Sequence, residues 1–232
     1  MHLGADIIKC ALRLLALQPL KWHYFWGKCI AWIVRVPLRY RKDVVMINLA
    51  RSFPEKKYRE LEDIAVKFYG HLGRIIAETV WFAGSYIKNR LEDSGICHYS
   101  NLEALSELFD KAPSVMLMTS HAGNWEILGG CMHYRSLTRS GTFSFTEDEI
   151  SIVYKELSNK TMDRVMRHNR CTPVKADWSI CCVESKDIMR FVVAHRNQKR
   201  IYCFPTDQCP YKYASAHTVE DFLHQPTKTM TG

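Results

Sequence analysis

The chain has 232 residues, 47% of them apolar, and a formal net charge of +8. That is enough apolar material for a full core, as one domain or one domain plus a small lobe, and it excludes intrinsic disorder. The charge is concentrated: residues 1–51 carry nine Lys/Arg against two Asp/Glu, so +7 of the +8 lies in the first fifth of the chain.

In that arm Lys9, Arg13, Lys21, Lys28 and Arg35 punctuate apolar residues such as Leu14, Leu17, Trp22, Phe25, Trp26 and Trp32. No run reaches the roughly 18–20 uncharged apolar residues of a clean membrane span. Trp and Tyr favour the lipid–water interface, and long basic side chains snorkel out of it. Residues 1–51 therefore read as basic, Trp-rich helices that anchor the chain at a membrane surface, or at most as one poor span. The arm lacks the small-residue cleavage site of a secretory signal. Basic residues set among Trp and aliphatic side chains argue against nucleic acid.

Residues 52–232 form the second predicted domain. Ser52 or Pro54 opens a helix that extends over about 55–83, with Leu61, Ile64, Ala65, Phe68, Leu72 and Ile75 at helical period. Gly84 ends it. A second helix fits Asn101 to Asp110. The apolar run Val115–Thr119 predicts a buried strand over 114–119. The Ala-Gly-Asn turn after it leads into a helix reaching about Tyr134. A strand over 150–154, a helix over 159–169, a short strand near 171–175, a helix over 184–196 and a strand over 201–205 follow. This alternation predicts an α/β fold: a largely parallel central sheet flanked by helices, with a membrane-associated helical segment at its N-terminus.

Two strands run into polar residues, one into His121 and the other into Asp207. Ligands of open α/β sheets bind at the carboxyl ends of strands, so these two positions predict a shared crevice. His121 and Glu126 are five apart. On an ideal helix they would lie about 140° apart and could not face each other. With His121 ahead of the helix, in backbone loosened by Gly123, the imidazole can fold back towards Glu126. The carboxylate then takes one ring N–H and leaves the other nitrogen to accept a proton. The bland alternatives are a structural histidine, a first-turn carboxylate favoured by the helix dipole at Glu126, and a plain cap at Asn124. Asp207 before Gln208 and Pro210 is also ordinary turn chemistry.

Nine scattered cysteines without a Cys-x-x-Cys pair suggest a reducing compartment and buried thiols. Their spacing argues against zinc.

Ser120-His121-Ala122-Gly123-Asn124-Trp125-Glu126 resembles the His-x4-Asp/Glu block of the lysophospholipid acyltransferase superfamily. The Gly-Asn-Trp-Glu form resembles its lipid A late-acyltransferase branch, the lauroyl/myristoyl transferases. Tyr40-Arg41, Asn48-Leu49 and Ser52-Phe53-Pro54 resemble that family's N-terminal segment. Tyr154 to Asn159 with Asp163, then Asp207-Gln208 with Pro210, resemble its second and third blocks. Phe222-Leu223, Pro226-Thr227 and Thr231-Gly232 resemble the stretch before its next helix. The order is the family's, over nearly the whole chain.

The resemblance implies transfer of a fatty acyl group from an acyl carrier protein thioester to a hydroxyl of a lipid A precursor, without a cofactor or metal. His121 and Glu126 would be catalytic. Asn124, Lys155, Arg170 and Asp207 would bind substrate, with Lys155 and Arg170 on acceptor phosphates. The implied place is the cytoplasmic face of the inner membrane, with the basic arm also meeting an acidic carrier protein. Three departures stand out. Lys155 replaces the family's arginine and loses its bidentate fork. Ala122 replaces a larger residue. Gly232 comes before the expected last strands and helices, so the domain is expected to be incomplete. Glycerolipid or other glycolipid acyl transfer in the same superfamily, and a non-catalytic membrane-associated remnant, are the competing readings.

Overall fold

The structure is a computed structural model, and it describes residues 3–137, 143–174, 178–207 and 218–228. In chain order the elements are α1 (Leu3–Ala16), α2 (Leu20–Arg35), α3 (Lys42–Ser52), α4 (Tyr58–Phe82), α5 (Arg90–Ser94), β1 (His98–Tyr99), α6 (Leu102–Lys111) and β2 (Val115–Thr119). A 3-10 helix follows over Trp125–His133, then β3 (Arg135–Ser136), a short 3-10 turn over Glu147–Glu149 and β4 (Ile150–Tyr154). The remainder is α7 (Lys160–Arg170), α8 (Trp178–Cys181), β5 (Cys182–Glu184), α9 (Ile188–Ala194), β6 (Ile201–Pro205), β7 (Thr218–Phe222) and β8 (Gln225–Lys228). The contacts divide the chain into two units, residues 1–20 with 79–206, and residues 21–78 with 207–232.

The first unit holds a four-stranded parallel sheet in the order β2-β6-β4-β5. This is the predicted α/β architecture. All five residues of β4 are buried. Its run, Ile-Ser-Ile-Val-Tyr, is apolar apart from Ser151, whose buried hydroxyl donates to Ile180 O, and this suits a strand covered on both faces. Phe109, Phe145, Ile150, Ile152, Ile201 and Cys203 form the core around it. A side chain of this size contributes roughly 1.5–3 kcal/mol by leaving water. A second cluster joins Trp81, Phe82, Leu91 and Tyr134.

Three expectations need correction. The first concerns β2, which is an edge strand and not a fully buried one: Met116 and Met118 point outward at 66% and 68% exposure. Next, residues 171–173 make a turn, 174 is irregular and 175 lies outside the described residues, so the strand expected near 171–175 is not seen. The fourth strand is Cys182–Glu184, and the helix expected from 184 begins at Ile188. Finally, the segment after Asn124 is a nine-residue 3-10 helix, not an α-helix. Its Gly129-Gly130 pair weakens α-helical preference. Gly129 also lies so close to Arg170 that an added Cβ would sit 1.6 Å from the Arg170 carbonyl oxygen.

Caps explain several boundaries. The Asn101 carboxamide accepts from Ala104 N and starts α6. The Asn159 carboxamide accepts from Thr161 N and Met162 N and starts α7. Each satisfies donors that a helix N-terminus leaves open. Within this unit α1 packs on α7, with Arg13 Nη2 3.0 Å from His168 Nε2.

The second unit is built on a close crossing of α2 and α4. His23, Gly27 and Ala31 form the buried stripe of α2, spaced by four. Ala65, Tyr69, Gly73 and Ala77 do the same on α4. A Cβ on Gly73 would lie 2.2 Å from the Gly27 carbonyl oxygen. Small residues let the backbones touch where larger ones would hold them apart. The second unit also contains the antiparallel β7–β8 hairpin. Among the described residues, no helix is long and apolar enough to cross a membrane.

Candidate active site

β2, β4 and β6 are parallel, so their carboxyl ends lie at one edge of the sheet. Thr206 N donates to Thr119 O at 2.9 Å, which carries the β2–β6 ladder one step past the strands. His121 follows at once, half-buried in a bend. Gly123 has φ of +72°, where a side chain would be strained, and it turns the chain into the 3-10 helix. Asn124 stands at that helix's N-terminus, but its side chain does not cap it. Its Nδ2 makes a long 3.5 Å contact to Thr79 Oγ1 instead.

The His121 ring meets the Trp125 ring edge-to-face, with centroids 5.5 Å apart. Arg170 packs on the same tryptophan. Its guanidinium lies 4.4 Å from the Trp125 ring and 5.8 Å from the Tyr154 ring. Arg170 Nε donates to Glu126 Oε2 at 2.5 Å and Nη2 to Glu126 Oε1 at 2.7 Å. This is the fork-on-carboxylate geometry that fixes both partners. The two side chains are 7% and 13% exposed. Burial works against the charge on Arg170, but the Glu126 hydrogen bonds and charge outweigh it and raise its pKa above the ordinary value. Among the described residues, Arg170 Nη1 is buried with no hydrogen-bond partner.

α7 positions the arginine. Asp163 Oδ1 accepts from Leu157 N and holds the loop after β4. Asn169 Nδ2 donates to Thr79 O at 2.9 Å and fixes the helix's last turn. The Arg167 guanidinium lies 5.3 Å from the Tyr154 ring. Arg170 thus holds Glu126 and lies over Trp125, and Trp125 meets His121. Lys155 is exposed directly after β4, and Asp207 is exposed and belongs to the second unit. The Trp125 contacts and the Thr79 anchor escape sequence reasoning, because Thr79 has no spacing relation to Asn124 or Asn169.

A family model described as bacterial lipid A biosynthesis acyltransferase matches residues 4–232. The chain belongs to this family. It is therefore an acyltransferase of the lipid A type, with a lipid A precursor as acyl acceptor. No curated protein and no solved structure matched the chain.

In this acyltransferase a small apolar cavity, of about 20 Å³, opens beside Glu126 and Arg170 and is lined by Leu128, Met132, Ile152 and Val174. It has room for a single water and not for an acyl chain. Cys131, Cys171, Cys181 and Cys182 also line it. Burial first, and neighbouring Glu147, push the Cys181 thiol up to about 11. Burial pushes up Cys131, and a hydrogen bond with Cys182 pushes up Cys171. Cys182 goes the other way, lowered by that bond against its own burial. Three of these thiols are therefore poor nucleophiles at neutral pH. Cys10 is exposed, contrary to the expected burial of the thiols. Among the described residues, no group of three or more His, Cys, Asp or Glu is placed to hold a metal ion. Gln208, Pro210, Thr231 and Gly232 of the family-like blocks lie outside the described residues.

Proposed function

We propose that the enzyme moves a fatty acyl chain from an acyl carrier protein thioester to a hydroxyl of the lipid A precursor, with His121 as general base and Glu126 as its orienting carboxylate. The observation that carries this reading is the clamped acid: Glu126 is gripped by the Arg170 fork, and the same guanidinium lies over the tryptophan that meets His121. A hydroxyl is a weak nucleophile until a base takes its proton during attack. His121 takes it as the oxygen adds to the thioester carbonyl. The carbon–sulfur bond then breaks, and the imidazolium returns the proton to the departing thiolate. No acyl-enzyme forms. Backbone N–H groups near Gly123 and Asn124, at the start of the 3-10 helix, are the donors for the oxyanion.

Arg170 acts through Glu126 as a positioning residue. Lys155, exposed after β4, is the candidate for an acceptor phosphate, Asn124 for a substrate contact, and Asp207 for a hydroxyl or basic group. The basic helices sit at the cytoplasmic face of the inner membrane, where they meet lipid and the acidic carrier protein.

The test is purified protein incubated with acyl carrier thioesters and a panel of acceptors, lipid A precursors beside glycerol phosphates, followed by mass spectrometry. His121→Ala lowers transfer at least about a hundredfold, the range a general base contributes. Full activity in that variant, with an unchanged circular dichroism spectrum, removes His121 from the mechanism.

A further inference from the structure

The second unit contains a larger cavity, of about 200 Å³, that the catalytic reading does not use. Its walls come from the end of α2, the connection to α3, the first turns of α3 and the facing side of α4. Arg35, Arg39 and Lys42 line it, with Glu62 and Tyr69 opposite. Arg35 and Lys42 are half-buried. Among the described residues, none of the three cations is in an ion pair. The carboxylate in the wall, Glu62, also acts on the exposed Tyr58 hydroxyl. Three cations therefore line a hole with one carboxylate in its wall, with Asp43 near enough to act on Tyr69.

The connection is unusual in its backbone. Arg39 and Arg41 have φ of +46° and +52°, a region that few non-glycine residues adopt. They are held there: Tyr40 N donates to Val34 O, Leu38 N to Ile33 O, and the buried Tyr69 hydroxyl donates to Tyr40 O at 2.7 Å. A strained turn pinned by a buried phenol keeps its basic side chains in place, and such strain is retained where a site needs it. The same segment exposes large apolar groups, with Trp32 at 58%, Val36 at 44% and Leu38 at 66%.

We propose that this cavity binds the phosphate of a lipid headgroup. Two arginines and a lysine suit phosphate oxygens, arginine by its fork and lysine as a point charge. The exposed Trp32, Val36 and Leu38 suit the acyl side of the same amphiphile. The inference rests on the reading that these helices lie against lipid, and the experiment separates the two.

The whole protein is sedimented with phosphatidylcholine vesicles, with and without phosphatidic acid, and its thermal unfolding is followed with inorganic phosphate or with chloride at equal ionic strength. Arg35→Gln/Lys42→Gln removes two cavity cations, Arg39→Gln removes the exposed one, and Lys21→Gln/Lys28→Gln removes two exposed cations outside the cavity. Retention on phosphatidic acid falls at least about tenfold in the first double variant, less in Arg39→Gln and least in the control. Inorganic phosphate stabilises the wild type more than chloride does, and this is lost in the first double variant. Equal losses in the two double variants overturn the site in favour of diffuse surface charge. Stabilisation by inorganic phosphate with equal vesicle retention in every variant overturns the lipid source and leaves a free-phosphate site. A wild type retained on no vesicle, yet stabilised by phosphate, overturns the lipid-surface reading and the lipid source together, leaving the same free-phosphate site.

Discussion

Arg170 and Glu126 form a pair whose two halves are worth different things. Both are nearly buried, and each satisfies the other's charge. A buried pair of this kind adds little over an apolar replacement, but removing one partner strands the other charge. Arg170→Ala therefore destabilises the protein by about 3–5 kcal/mol, read as a lower urea midpoint. Arg170→Lys keeps the charge and loses the fork. It is expected to keep most of the stability and to lose acyl transfer as a fall in kcat with little change in KM. A lysine variant with wild-type kcat would show that Glu126 needs no clamp. The partner of Glu126 was not legible in the sequence, since 44 residues separate the two. The position of His121 was legible, two residues past the apolar run Val115–Thr119, but only the family-like residues around it separated a candidate base from a structural histidine. The phosphate role that the family pattern implies for Arg170 competes with a carboxylate that already holds Nε and Nη2.

Elements declare themselves when one periodicity runs long enough. β4 and β6 were legible as short, mostly apolar runs, and α4 as a long helical stripe closed by Gly84. β5 was not, because three residues leave no alternation to read. α3 has no buried residue to mark it. The 3-10 helix over Trp125–His133 was misread because its apolar residues suit either helix type, and the deciding fact is the Arg170 backbone against Gly129. The α2–α4 crossing gives a paired test within one helix. Gly73 touches the Gly27 carbonyl, whereas nothing lies within 4 Å of a Cβ on Gly70. Gly73→Ala should cost about 1–3 kcal/mol as overpacking. Gly70→Ala should gain roughly 0.5–1 kcal/mol as plain helix propensity. Differential scanning calorimetry then shows opposite shifts in Tm, about 2–4 °C per kcal/mol for a chain of this size. Shifts of the same sign would mean that the close crossing carries no energetic weight.

For the molecule as a whole, charge and exposed apolar surface coincide in the first fifth of the chain. α1 exposes Ile7 and Leu14, and α2 exposes Trp22, Trp26 and Trp32. Lys21 and Lys28 are exposed on the second of these helices. Two forces then act on the same helices, with different dependence on salt. Exposed cations near an anionic surface are attracted to it, and screening removes most of that attraction once the Debye length shrinks from about 10 Å at 0.1 M to about 3 Å at 1 M. Apolar insertion is strengthened, if anything, by excluded salts. Retention on vesicles containing phosphatidylglycerol should therefore fall as sodium chloride rises and level off above zero. Trp22→Ser/Trp26→Ser should leave the steep part and abolish the plateau. Lys21→Gln/Lys28→Gln should do the reverse, flattening the slope and sparing the plateau. Retention that drops to nothing at high salt in the wild type would mean that the helices touch lipid through charge alone, and that the exposed tryptophans serve some other surface.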